Sequence, residues 1–193
     1  MRYFLGGILV MCFLLEASAA FAAPPAPSAH LSYTNVDVGL ISTDLNDTDL
    51  SGDGLLLRGN LAITDTAFAF AQFQDIGYGH GVDGTLWSLG AGGHWPITKA
   101  MDLVGKLGYV RQNIDNGGSH NEDGYTLSAT VRGFVMDKLE MEGGLKHEHL
   151  TDSGNNTTLI GEGRYFLTSQ IAASALLQVG DTTTIGVYVR FTF

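Results

Sequence analysis

The sequence predicts an all-β chain that folds as an up-and-down antiparallel β-barrel of ten strands. Apolar residues recur with a period of two rather than 3.6, and polar clusters separate the alternating segments. Glycine is abundant, at 26 of 193 residues, and only 16% of the residues are charged. Because charged residues make up about a quarter of typical soluble domains, this composition disfavours both a helical bundle and a disordered chain.

Residues 1–22 are predicted to form a cleaved secretory signal peptide. The positive charge of Arg2 precedes an apolar stretch over residues 4–15, and Ala20-Phe21-Ala22 matches the small-x-small cleavage pattern. The apolar stretch is shorter than the ~20 residues of a membrane-spanning helix. Cleavage would also remove Cys12, the only cysteine, so no disulfide is predicted in the mature chain.

A leader rich in proline and alanine follows at residues 23–30, and residues 31–193 are predicted to form the barrel as one domain. The final strand shows the pattern most clearly, because every second residue from Ile185 to Phe193 is apolar. Nine preceding segments repeat this alternation and are predicted as strands. They span residues 31–41, 54–63, 67–74, 85–94, 101–112, 125–135, 139–149, 158–167 and 171–179.

The connections are predicted to alternate between short turns and longer polar loops. This alternation places both chain ends at the end of the barrel that carries the short turns. An even number of strands, each near the ~9–11 residues that cross a bilayer at a tilt of about 45°, is typical of bacterial outer-membrane barrels, and eight strands is the alternative count. The short turns are predicted at residues 64–66, 95–100, 136–138 and 168–170, and the loops at 42–53, 75–84, 113–124 and 150–157.

The composition of the two strand faces distinguishes a membrane barrel from a soluble one such as a lipocalin. One face is apolar up to the strand ends, whereas the other carries polar and ionised side chains. A soluble barrel needs an apolar interior, so the apolar face is instead predicted to turn outward to lipid. Phe68, Phe70 and Phe73 do not share one face, which predicts either a bulge or a local apolar plug. The predicted outward set includes Val36, Val38, Leu40, Leu55, Leu57, Leu61, Trp87, Leu89, Leu103, Leu107, Tyr109, Tyr125, Leu127, Val131, Leu139, Met141, Leu145, Leu159, Tyr165, Leu177 and Val179.

The inward face is predicted to hold a network of ion pairs without net charge. Charges in a confined interior are tolerated when they are paired or hydrated. The net charge of −10 falls instead on the predicted long loops, where the acids are opposed only by Arg111. The predicted lumen residues are the acids Asp37, Asp102, Glu140, Glu142, Glu148 and Glu162, and the bases Arg58, Lys106, Arg132, Lys146, Arg164 and Arg190.

The chain resembles known outer-membrane proteins in two ways. Its last residues, Tyr188-Val189-Arg190-Phe191-Thr192-Phe193, resemble the C-terminal signature of outer-membrane barrels. This resemblance implies that the barrel-assembly machinery recognises the last strand, with Tyr188, Phe191 and Phe193 as the assembly signal.

Internal segments are similar to a family of small outer-membrane barrels of xanthomonads and relatives, over nearly all of the mature chain. The segments are Trp87-Ser88-Leu89-Gly90-Ala91-Gly92, Asp102-Leu103-Val104 and Gly108-Tyr109. Members were once described as secreted quorum-sensing or immune-eliciting factors and later treated as porin-like outer-membrane proteins. The resemblance implies no catalytic residue.

Residues Asp49, Ser51 and Asp53 are weak candidates for a metal site. With Gly54, they match positions 1, 3, 5 and 6 of a calcium-binding loop, but position 12 is Asn60, where a bidentate glutamate is expected. The alternative is a solvated turn in an acidic region that gathers divalent ions loosely.

His147 and His149 share the predicted outward face and allow three hypotheses. A lipid-A deacylase works on the outer wall of its barrel with a histidine, a serine and an acid, but the nearest serine, Ser153, belongs to a predicted loop. A metal site would need a third ligand such as His120. Otherwise, the two histidines replace aromatic residues at the membrane border.

The predicted function is therefore a non-catalytic outer-membrane barrel, either a narrow porin-like pore or a structural or surface-interaction protein. Ten strands enclose little more space than eight, whose interior side chains fill the lumen. A lipid-modifying enzyme such as a lipid-A deacylase is the alternative. No cofactor is predicted, and the acidic charge without a basic cluster disfavours nucleic-acid binding. The expected partners are outer-membrane lipid, lipopolysaccharide and the barrel-assembly machinery, with the protein as a monomer.

Overall fold

The computed structural model of the chain describes residues 31–46, 50–78 and 81–193. In these residues, ten antiparallel strands pair in chain order, and the first closes on the last to form a barrel. The predicted count of ten is confirmed, and the alternative of eight is wrong. The strands are β1 (Asn35–Leu45), β2 (Ser51–Ala62), β3 (Ala67–Tyr78), β4 (Val82–Pro96), β5 (Met101–Asp115), β6 (Ser119–Met136), β7 (Leu139–Leu150), β8 (Gly154–Phe166), β9 (Ile171–Val179) and β10 (Thr182–Thr192).

The predicted signal peptide and leader, residues 1–30, lie outside the described residues. Within the described part of the chain, no helix is long and apolar enough to span a membrane.

The outer wall carries an apolar belt, which consists of the predicted outward set. Apart from Leu139, which is half-buried, every member of the set is exposed on the barrel surface. Leu40 is 59% exposed and Leu107 is 60% exposed. A soluble protein rarely leaves so large a continuous apolar surface in water. The prediction of the two faces is thus confirmed, and acyl chains are the environment that suits this belt.

The predicted alternation of short turns and long loops is wrong. Every connection between consecutive strands spans only two to five residues, because the strands continue through segments predicted as loops. For example, β6 has 18 residues and begins at Ser119. Beyond the bilayer, polar residues form the backbone hydrogen bonds of a β-ladder as readily as apolar residues do. A polar composition alone therefore does not end a strand. Gly117, at φ 70°, and Gly154, at φ 82°, adopt the left-handed conformation that these tight turns require.

We name the two ends of the barrel by these connections. The rim consists of the connections that follow β1, β3, β5, β7 and β9, together with the strand ends beside them, which include Asp53, Asp115, His120 and Glu122. The described residues of these connections are 46, 50, 81, 116–118, 151–153 and 180–181. The terminal end contains the other connections, residues 63–66, 97–100, 137–138 and 167–170, together with the start of β1 and the end of β10.

Phe68 and Phe70 form an apolar plug inside the barrel. The register of β3 with both of its neighbours is continuous, so the predicted bulge is absent from this strand. Phe68 is buried in the lumen, whereas Phe73 is exposed on the outer wall. The two inward rings occupy the space left by the missing side chains of glycines on β4 and β5. These glycines are Gly90, Gly92 and Gly108.

Candidate functional site: the charged lumen

Eight of the predicted lumen residues meet in one cluster, which we call the lumen network. Strand alternation points them inward, and the register brings opposite charges face to face. Asp37 lies opposite both Arg58 and Arg190. Four carboxylates and four guanidiniums balance the charge among these described residues. The members are Asp37, Arg58, Arg132, Glu140, Glu142, Glu162, Arg164 and Arg190.

Arg164 is the centre of the lumen network. Its Nη1 donates to Glu140 Oε1 at 2.5 Å and its Nη2 to Glu142 Oε2 at 2.6 Å. The same Nη2 also donates to Glu162 Oε2. Glu142 and Glu162 lie directly opposite each other on β7 and β8, where two like charges repel. The guanidinium between them therefore compensates this repulsion.

Two bidentate pairs extend the network on either side of Arg164. Arg190 donates from Nε and Nη2 to the two oxygens of Asp37, at 2.7 and 2.8 Å. Arg132 donates from Nε and Nη2 to the two oxygens of Glu140, at 2.9 and 3.0 Å. Such pairs fix geometry as well as charge. The Arg190–Asp37 pair joins the last strand to the first, and the Arg132–Glu140 pair joins the neighbouring strands β6 and β7.

The lumen network blocks the lumen of the barrel. Asp37 is 0% exposed, Glu140 is 1% exposed and Arg164 is 2% exposed. A water-filled path past these side chains would leave them accessible to water. A cavity of about 50 Å³, lined by seven of the eight network residues together with Gln72 and Lys106, has room for only a few water molecules.

The other predicted lumen residues point inward but lie outside this network. Lys146 Nζ is 2.8 Å from Glu148 Oε2, as a separate pair. Lys106 Nζ lies 5.9 Å from the ring centroids of both plug phenylalanines, and it forms no ion pair within the described ranges. Asp102 accepts a hydrogen bond from the aromatic residue Tyr33 near the terminal end.

That aromatic residue, Tyr33, closes the terminal end and was missed by the sequence analysis as a site residue. Its hydroxyl donates to Asp102 Oδ2 at 2.8 Å, and its ring stacks on His94 with centroids 3.8 Å apart. The guanidinium of Arg132 lies 4.8 Å from the ring centroid and donates to Ser32 O. The available signal was its position, because Tyr33 shares the parity of the inward Asp37.

The predicted assembly signal divides between the two faces of β10. Phe191 and Phe193 are exposed on the outer wall, whereas Tyr188 is buried in the lumen. The Tyr188 hydroxyl donates to Glu162 Oε2 at 2.6 Å and accepts from Arg164 Nε at 3.1 Å. Tyr188 is thus part of the lumen wall, a position that its alternation with Val187 and Val189 already indicated.

The described residues of the predicted calcium loop lie in an extended strand. Ser51 and Asp53 lie in β2, and so does Gly54, which would have to form the turn of the loop. Asp49 lies outside the described residues. Ser51 and Asp53 lie two residues apart on one face of β2, and because Asp49 is not described, the weak metal candidate stays a prediction.

His147 and His149 lie on the outer wall beside Tyr125. A hydrogen bond of 2.9 Å joins His147 Nδ1 to Thr157 Oγ1, and His149 Nδ1 donates to Asn155 Oδ1 at 3.0 Å. The ring of His149 lies 5.2 Å from that of Tyr125. The structure does not bring Ser153 to either histidine, because the Ser153 hydroxyl donates to Glu122.

The fold and the site define a closed ten-stranded barrel with an apolar outer wall and a charged, filled lumen. No family model matches the chain, and no curated protein matches it. The chain is similar to solved outer-membrane barrels at low identity. For the KdgM porin, the identity is 11% and the TM-score 0.49, with 83% of this chain and 99% of that chain covered.

Two further solved structures show similarity of the same order. The NanC porin has 9% identity and a TM-score of 0.47, over 83% of this chain and 100% of that chain. The N-terminal β-barrel domain of Pseudomonas aeruginosa OprF has 15% identity and a TM-score of 0.45, over 83% of this chain and 100% of that domain.

Proposed function

We propose that this protein is a non-catalytic outer-membrane barrel with a closed lumen, which serves as a structural or surface-interaction protein. The apolar belt supports the membrane location, since only lipid suits a continuous apolar outer wall. The burial of the paired charges in the lumen network carries the proposal of a closed lumen. Of the two roles predicted from the sequence, this favours the structural or surface role over the narrow pore.

An open pore would require the lumen network to separate. Arg164 alone contacts three carboxylates on two strands. Taking one partner out of a buried ion pair costs about 3–5 kcal/mol. Thermal motion therefore leaves the network intact, and solute passage would need a different conformation.

Planar-bilayer recording tests the closed lumen. The purified chain is reconstituted beside a general porin as a positive control, and heat-modifiable migration on gels verifies that it is folded. We expect no conductance steps for this chain in potassium chloride or sodium chloride. Regular single-channel steps from the folded wild-type protein would contradict the proposal and favour the narrow pore.

The remaining expectations about export are part of the same proposal. The signal peptide is cleaved after Ala22, and the barrel-assembly machinery inserts the chain as a monomer in contact with outer-membrane lipid and lipopolysaccharide. Mass spectrometry of the protein from outer-membrane fractions is expected to give a mass that starts at Ala23. A mass that includes residues 1–22, or recovery of the folded chain in the soluble fraction, would contradict this part. Membership of the xanthomonad barrel family stays a prediction from the sequence.

A further inference from the structure

The rim brings one imidazole and two carboxylates together. His120 and Glu122 lie two residues apart on β6 and therefore share one face of the strand. Asp152 lies in the connection between β7 and β8, which the sheet order places beside β6. The ligand atoms of these three side chains all lie within 4.8 Å of one another.

The two distances from His120 to the carboxylates fit a small tetrahedral ion. His120 Nε2 lies 3.3 Å from Glu122 Oε1 and 3.5 Å from Asp152 Oδ2. Zinc binds histidine and carboxylate ligands at about 2.0–2.2 Å, so the edge of its coordination tetrahedron is about 3.3–3.5 Å. The side chains of His120 and Asp152 are 59% and 60% exposed, which leaves them free to adjust around an ion.

Hydrogen bonds hold Glu122 and the connection between β7 and β8 in place. The backbone N–H of Ser153 donates to Glu122 Oε2 at 2.9 Å, and the Ser153 hydroxyl donates to Oε1 at 2.8 Å. Thr151 donates to Asp123 O from both its backbone N–H and its hydroxyl. The turn is thus fastened to β6, and Asp152 is held beside His120. Hydrogen-bonded supports of this kind typically orient metal ligands.

The Glu122 carboxylate keeps a free lone pair for a metal. A carboxylate oxygen has two lone pairs, so Oε1 retains one for a metal while it accepts the Ser153 hydroxyl.

We propose that His120, Glu122 and Asp152 form a zinc site at the rim, with water in the fourth position. One nitrogen and two oxygens suit zinc, because imidazole favours zinc, copper and nickel, whereas calcium takes six to eight oxygens. The ion would fasten the β7–β8 turn to β6. This site is independent of the lumen, so its failure would leave the closed-lumen proposal untouched.

Isothermal titration calorimetry with zinc chloride tests the site on the full chain, purified from membranes in detergent at neutral pH. We expect one zinc ion per chain, and we expect His120→Gln to weaken binding at least tenfold. Ser153→Ala removes only the supporting hydroxyl and is expected to weaken binding about tenfold to a hundredfold. The matched control is His149→Gln, which alters a histidine on the outer wall and is expected to bind zinc like the wild type.

Several results would overturn the proposal. They are wild-type protein that binds no zinc, His120→Gln that binds like the wild type, equal loss in His149→Gln, and calcium that displaces zinc at equal concentration. Cobalt provides a second measurement that needs no variant, since a tetrahedral site gives intense visible absorption and an octahedral ion does not. Weak absorption by the cobalt-loaded wild type would also contradict the site.

Discussion

Carboxylates occupy two different settings in this barrel. In the lumen network, Asp37, Glu140 and Glu162 are buried and contact guanidiniums. At the rim, Asp53 and Asp115 are exposed to water. Removing a partner in the lumen leaves a charge without compensation, whereas water and salt screen a charge at the rim. The same residue type is therefore expected to influence stability by very different amounts in the two regions.

The largest effect is expected for Arg164→Met, which removes the partner shared by three carboxylates. We expect a loss of about 3–5 kcal/mol in the free energy of unfolding. The matched variant is Arg111→Met, because Arg111 Nη1 lies 3.7 Å from Asp123 Oδ1 and both side chains are exposed. Its expected cost is about 0–1 kcal/mol. Reversible urea unfolding in lipid vesicles measures both, and equal losses would contradict the contrast.

A second comparison uses two tyrosine hydroxyls. Tyr33→Phe removes a buried donor to Asp102 and is expected to cost about 1–3 kcal/mol. Tyr109→Phe removes a donor to Asp123 in exposed surroundings and is expected to stay within about 0.5 kcal/mol. The same unfolding experiment applies. A larger loss for Tyr109→Phe than for Tyr33→Phe would show that the terminal end does not depend on this bond.

The two inward lysines sharpen the comparison within the lumen itself. Lys146→Met leaves Glu148 without its partner at 2.8 Å, and we expect a loss of about 1 kcal/mol. Lys106→Met removes a half-buried charge that faces Phe68 and Phe70 and forms no ion pair among the described residues. We expect the free energy of unfolding of the Lys106→Met variant to be unchanged or higher. A greater loss of stability for Lys106→Met than for Lys146→Met would mean that carboxylates of the lumen network stabilise the charge of Lys106 over a longer distance.

The smallest effect is expected at the rim. Asp115→Asn removes one exposed charge from the end of β5, so we expect a change within about 0.5 kcal/mol. High salt should make the difference from the wild type smaller still, because it screens exposed charges. Exposed ion pairs contribute at most about 1 kcal/mol. A larger change in the free energy of unfolding that does not depend on salt would therefore indicate that Asp115 makes a specific contact.

The sequence predicts those features of the barrel that follow from the period of two. Parity alone separates Leu107 on the outer wall from Lys106 in the lumen, because successive side chains point to opposite faces. Cross-strand pairs such as Glu140 and Arg164 then follow from antiparallel register. These rules are local, so they hold without knowledge of the tertiary contacts.

Other features depend on contacts that composition does not reveal. The polar neighbours of Glu122 predict a loop, although the ladder of β6 continues through this residue. Asp152 reaches His120 only because tight turns bring two strand ends together. Tyr33 lies before β1, and its hydrogen bond to Asp102 and cation–π contact with Arg132 hold it in the lumen. Each of these depends on partners that are distant in the sequence.

If the barrel is inserted as proposed, with both chain ends toward the periplasm, the short connections at the rim also determine how molecules outside the cell would encounter the protein. Two to five residues between strands leave no segment that can extend into the active site of a protease. Digestion of intact cells would therefore leave the chain whole. Antibodies would have to recognise a folded surface built from adjacent turns, since no turn is long enough to present a linear epitope.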